Sequence, residues 1–125
     1  MPSYSAVDVG FVLPKRPHHL DKIEDKEGIL DLFISARDGT KIHIRSDSHL
    51  LYMWRDEGDA LRTVGPVVKY GSLVYSVEKS PLLAWFADET TRNTTKLKHF
   101  IVTCANDVID ILSADDLIVD ISQNS

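Results

Sequence analysis

Apolar and polar residues alternate with a period of two over most of this chain, as expected of strands that bury one face and leave the other in water. The pattern is sharpest from Gly28. Leu30, Leu32, Ile34 and Ala36 occupy alternate positions, as do Ile42 and Ile44 after an Asp38-Gly39 turn. A slip of one residue between these two runs would set Ile34 against His43 and Leu32 against Arg45. A three-residue loop, Arg37-Asp38-Gly39, with its glycine at positive φ and a bulge after it, pairs Ile34 with Ile42 and Leu32 with Ile44 instead.

Toward the C-terminus, Phe100, Val102 and Cys104 alternate before an Asn106-Asp107 turn, a register that places Cys104 opposite Ile109 and Val102 opposite Ile111. A loop at Ala114-Asp115-Asp116 then brings Leu117, Val119 and Ile121 beside Ser113, Ile111 and Ile109. Ile101, Leu112 and Ile118 on the opposite faces point to strands covered on both sides. The first 27 residues are the least regular. Val7, Val9, Phe11 and Leu13 read as an edge strand, Pro14 and Pro17 interrupt it, and the charged run from Asp21 to Glu27 reads as a loop.

Two passages share one local grammar. Gly39 leads through Ile42 and Ile44 to Ser48 and the run His49 to Glu57; Gly71 leads through Val74 to Ser80-Pro81 and the run Leu82 to Glu89. In the first, Asp47 or Ser48 serves as N-cap and Leu50, Leu51 and Trp54 as the apolar stripe, ending near Gly58. Gly65-Pro66 opens a second strand pair, with Val67 and Val68 before a Tyr70-Gly71 turn and Leu73, Tyr75 and Val77 after it. Ser80 then caps a helix with Pro81 at its first position and Leu82, Leu83 and Phe86 facing inward. The apolar phases of the two passages have opposite parity relative to the matched glycines, which favours similar units reached by shared physics over a duplication. The predicted fold is α+β: one antiparallel twisted sheet of successive hairpins, about six to eight strands, with two short helices packed on one face.

A length of 125 residues, 43% hydrophobic and 26% charged, suits one domain, residues 1–125, with 1–27 as an irregular N-terminal strand and loop. No apolar run nears the roughly 20 residues that span a bilayer, and the N-terminus lacks the basic-then-apolar order of a signal peptide. A cytoplasmic location is the expectation. The single cysteine, Cys104, excludes an internal disulfide and any zinc site built on two thiolates. A formal net charge of -5 argues against a nucleic-acid partner. That charge is uneven, because Asp107, Asp110, Asp115, Asp116 and Asp120 follow Ala105 with no Lys or Arg among them.

Candidate chemistry is sparse. His43 and His49 flank Asp47 across a strand-to-helix junction, so the three could converge as an acid/base or metal-assisted site, with Asp56 as a further carboxylate. His99 reads as a partly buried sheet residue with a hydrogen-bond partner, and Cys104 as a buried, inert thiol. Asn106-Asp107 and Asp115-Asp116 lack the interleaved oxygens and central glycine of a calcium loop and read as turn residues. Trp85 falls outside the stripe of Leu82, Leu83 and Phe86, so it is the aromatic expected at the surface. No P-loop, GxGxxG, HExxH, GxSxG or Cys/His zinc pattern occurs.

These features point first to a non-catalytic binding or regulatory module acting on a protein partner through Trp85, Asp107, Asp110, Asp115 and Asp116, without cofactor or metal. The alternatives are a small hydrolytic or metal-assisted enzyme built on His43, Asp47 and His49, and an accessory subunit of a larger assembly. Self-association through open sheet edges is a further expectation.

Overall fold

The computed structural model describes residues 2–60 and 72–122, and the expected strand opening at Gly65-Pro66 and the Tyr70-Gly71 turn lie outside them. Among the described residues the alternation resolves into nine antiparallel strands in two sheets. The first sheet runs β1 (Ser3–Ala6), β6 (Val74–Glu78), β7 (Lys98–Thr103), β8 (Asp107–Ser113) and β5 (His49–Asp56), and the second β2 (His18–Lys26), β3 (Ile29–Ala36), β4 (Lys41–Ser46) and β9 (Ile118–Ser122). One α-helix, α1 (Pro81–Glu89), joins β6 to β7, and a single 3-10 turn spans Glu57–Ala60. The α+β expectation of one sheet with two helices is therefore corrected to a mostly β fold of two antiparallel sheets, with one α-helix among the described residues.

The sheets face each other across one core, with Leu32, Ile34, Ile42 and Ile44 of the second sheet against Val74, Phe100, Val102, Ile109 and Ile111 of the first. Side chains of this kind each contribute about 1.5–3 kcal/mol when fully removed from water, so this layer is the main source of stability. The β3-β4 hairpin has the register expected from sequence, Ile34 opposite Ile42 and Leu32 opposite Ile44. Gly39 sits at φ 90° in its loop, where Thr40 N–H is also held by Asp38 Oδ1 at 2.9 Å. The β7-β8 hairpin differs from expectation by two residues, pairing Val102 with Ile109 and Phe100 with Ile111. An even slip leaves every side chain on its predicted face.

The other departures have local causes. The charged run expected as a loop is β2, whose apolar residues Leu20 and Ile23 are three apart and fit no simple alternation. A bulge between Leu20 and Lys22 absorbs the extra residue and lets both pack on the core. Its charges guard a sheet edge, and its turn into β3 uses Glu27 at φ 55° and Gly28 at φ 81°, as a two-residue hairpin requires. The strand expected over Val7 to Leu13 does not form; the first strand is Ser3–Ala6, and the chain bends at Gly10, which adopts φ 85° while its N–H donates to Asp8 Oδ1 at 2.9 Å.

The expected first helix is strand β5, and the expected β8-β9 hairpin does not form, because β9 pairs with β4 in the other sheet. Both changes meet at one corner, where β4 passes to β5 and β8 passes to β9. Ser113 Oγ donates to the Asp115 carbonyl at 2.6 Å and accepts from Ser46 Oγ at 3.1 Å. Ser48 Oγ therefore donates to Ser113 Oγ at 3.2 Å, and it accepts from Asp115 N–H at 3.0 Å. The hydroxyl that would have capped a helix is thus committed to a sheet crossover, whereas Ser80 remains free to cap α1. The two matching passages adopt different structures for this reason.

Replacing Ser113 with Ala leaves Ser46 and Ser48 without their common acceptor in a buried corner. The expected cost is about 1–3 kcal/mol. It is read as a drop in urea midpoint at constant slope, and an unchanged midpoint would show that the crossover does not depend on the serine cluster.

Candidate functional site

The outer face of the first sheet alternates in register with its core face and carries Arg55 on β5, Asp110 on β8, and His99 and Ile101 on β7. Three polar groups around the start of α1 are nearly removed from solvent: Asp110 is 2% exposed, His99 5% and Ser80 7%. Buried groups of this kind need partners, and each has them. Leu83 N–H donates to Ser80 Oγ at 3.0 Å. The Ser80 hydroxyl proton points to His99 Nδ1 at 2.6 Å, His99 Nε2–H donates to Asp110 Oδ1 at 2.8 Å, and an Arg55 Nη donates to Asp110 Oδ2 at 2.8 Å. Because the Asp110 carboxylate only accepts, the His99 ring carries a proton on Nε2.

Serine, histidine and aspartate in this order resemble a charge-relay triad, yet the geometry gives them a positioning role. Ser80 lies at the N-cap of α1, with its oxygen occupied by Leu83 N–H, and its side chain lines neither of the clefts beside the helix. A nucleophile must be reachable by its substrate and free to release its proton. Here the chain fixes where α1 starts and how it sits on the sheet. Tyr4, opposite Val77 on β6, borders the same network. Burial raises the Tyr4 phenol above its ordinary 10.0, the Asp110 carboxylate adds to this, and Arg55 opposes it.

Helix α1 carries apolar side chains at six consecutive positions, Leu82 to Ala87, and none of its nine residues is buried. A helix apolar on every side is normally enclosed. On the Leu82 side a small cleft of about 190 Å³ lies over Tyr4, Met53 and Arg55 and reaches His99 and Asp110. On the Leu83 side a groove of about 530 Å³ is lined by Val77, Leu83, Leu97, Phe100 and Leu117 among others. His99 borders both. At about 100° per residue, Trp85 projects on the Leu82 side and away from Leu83, and it is 53% exposed, as expected from sequence.

The remaining sequence candidates are dispersed. His43 and His49 lie in different sheets and take different carboxylates, Asp31 at 2.6 Å and Asp25 at 3.2 Å, while Asp47 is exposed in the turn between them. The expected convergence on Asp47 is therefore absent, and no group of three or more His, Cys, Asp or Glu suited to a metal ion occurs among the described residues. His43 instead belongs to a row across the second sheet, in which Lys22, Phe33, His43 and Asp120 are successive cross-strand partners. The Lys22 ammonium is 5.7 Å from the Phe33 ring centre, and the Phe33 and His43 rings stack at 5.1 Å.

Of the acidic candidates, Asp110 is buried in the chain above and presents no carboxylate to a partner. Asp107 accepts from the indole of Trp54, itself 51% exposed, at 2.7 Å. Asp115 and Asp116 are exposed, with Asp116 bonded to Lys98 at 2.8 Å. Burial, with the Asp107 charge adding to it, pushes the Cys104 thiol up to about 12 and leaves it without thiolate character at neutral pH. No helix among the described residues is long and apolar enough to cross a membrane. Comparison with family models, curated proteins and solved structures gives no match, so the site is read from its own geometry.

Two outcomes test this description. Asp110→Asn breaks a buried ionic link and is expected to cost about 3 kcal/mol, measured by chemical denaturation, with a loss below about 1 kcal/mol counting against the anchoring role. Burial pushes the Asp31 carboxyl up, but hydrogen bonds from Arg45 and His43 outweigh it and hold the group below its ordinary 3.8. A carboxyl lowered on folding adds stability above its unfolded value and loses it as pH falls through its folded value. Asp31→Asn should therefore flatten the decline in stability between about pH 5 and about pH 2, and an acid limb as steep as in the parent would assign that decline to other groups.

Proposed function

We propose that this protein is a non-catalytic binding module whose contact surface is helix α1 and the adjoining outer face of the first sheet. The observation that carries this reading is the helix itself: six consecutive apolar residues, no buried position, and Trp85 half in solvent. Apolar surface left in water beside a small cleft is characteristic of a surface that another protein covers, and tryptophan is the residue most often found at the energetic centre of such contacts.

The supporting chemistry is the rigidity of the platform. The cap at Ser80 and its links to His99, Asp110 and Arg55 hold the helix start in one place before any partner arrives, which lowers the ordering cost of association. Trp85 and Leu82 supply the apolar contact, with Met53 and Tyr4 beside them at the cleft.

The test is quantitative. A partner retained from native extract on the immobilised chain is identified, made pure and titrated against the parent and Trp85→Ala. An interfacial tryptophan is worth about 2 kcal/mol or more, so affinity should fall by at least about 30-fold while the thermal midpoint stays unchanged. Equal affinity of the two proteins would remove this surface from the reading.

A further inference from the structure

The groove on the Leu83 side of α1 differs in chemistry from the Trp85 side. Its lining is largely apolar, with Phe100 and Leu97 buried and Ser76 and His99 as polar neighbours, and its exposed rim carries Asp8, Glu78 and Asp116. Against these three carboxylates stands, among the described residues lining the groove, one cation, Lys98, already bonded to Asp116 at 2.8 Å. The opening is thus an apolar trough with a rim of net negative charge, and its volume of about 530 Å³ has room for a long side chain.

We infer that this groove takes a basic group carried on an apolar stem, a lysine or arginine side chain of the bound partner. The match is in length and order of chemistry. Lysine and arginine bury a hydrocarbon stem along apolar surface while holding the charged head at its edge, and here the apolar lining leads to carboxylates at the rim. A carboxylate-bearing stem meets like charge at the same rim, and a purely apolar one brings no cation to it. Of these carboxylates, Asp8 keeps one oxygen on Gly10 N–H at 2.9 Å, which fixes its direction. This inference rests on the reading of α1 as a contact surface, to which it adds the identity of a second anchor.

Three small probes separate the possibilities without any knowledge of the partner: hexylammonium, hexanol and hexanoate, titrated into the isotope-labelled full chain and followed through the methyl signals of Leu83, Leu97 and Leu117. Hexylammonium should shift these signals and bind about fivefold more tightly than hexanol, the scale of one exposed ion pair, with hexanoate weaker than both. Adding salt should shrink the advantage of the amine over the alcohol, as should the double variant Asp8→Asn with Glu78→Gln. Hexanoate or hexanol binding as tightly as the amine, shifts confined to other parts of the chain, or no binding by any probe would overturn the assignment. Trp85→Ala should leave the amine titration unchanged, so a failure of the groove and a failure of the Trp85 surface are read separately.

Discussion

One carboxylate, that of Asp110, ties the start of the helix to three hydrogen-bonded strands of the first sheet. It lies on β8, accepts from Arg55 on β5 and from His99 on β7, and through His99 it reaches Ser80 and the start of α1. Burying a charge is costly unless every lone pair is used, so these four groups can exist in this arrangement only together. The consequence is positional. The helix is short, none of its residues is buried, and a hydrophobic contact alone would let it slide on the sheet. The polar chain removes that freedom and so defines the two clefts on either side.

The same logic operates at the crossover corner, with hydroxyls in place of charges. Ser46, Ser48 and Ser113 each have one proton, and only one assignment gives all three a partner. That corner decides that β5 and β9 leave their hairpin partners for the opposite sheet. Apolar burial supplies most of the stability, but it does not choose between these connections, since Val119 and Ile121 pack on the shared core when paired with β4 and would offer the same faces to β8. Directional bonds at two small clusters make that choice.

What could be read from sequence follows this division. The β3-β4 register, the faces of β7 and β8 and the helix after Ser80-Pro81 were legible, because each is set by neighbours in the chain. Strand β2 was hidden by its bulge, which breaks the period of two while preserving the buried face. Strand β5 was misread because Ser48 has cap chemistry, and only the distant Ser113 shows how that hydroxyl is used. Asp110 was counted among surface acids, yet a signal was present. It shares a strand face with Val108 and Leu112, both fully buried, and an acid on an apolar face calls for a cation on a neighbouring strand.

The contrast between the two flanks of α1 then follows from the fold. On the Leu82 side the helix meets the outer face of a sheet whose charges are already matched to one another, so what remains for contact there is mainly apolar. On the Leu83 side it meets the end of the sandwich, where β6 stops, the N-terminal segment passes and the β8-β9 connection returns, and chain ends and turns favour acids such as Asp8, Glu78 and Asp116. Among the described residues lining the groove Lys98 is the cation that meets them, and the chain beyond Ala105 supplies no Lys or Arg of its own. The uneven charge visible in the sequence therefore has a structural address: it is partly spent inside, where Asp110 is neutralised, and partly displayed at the rim of the groove, where Asp116 and its neighbours face water.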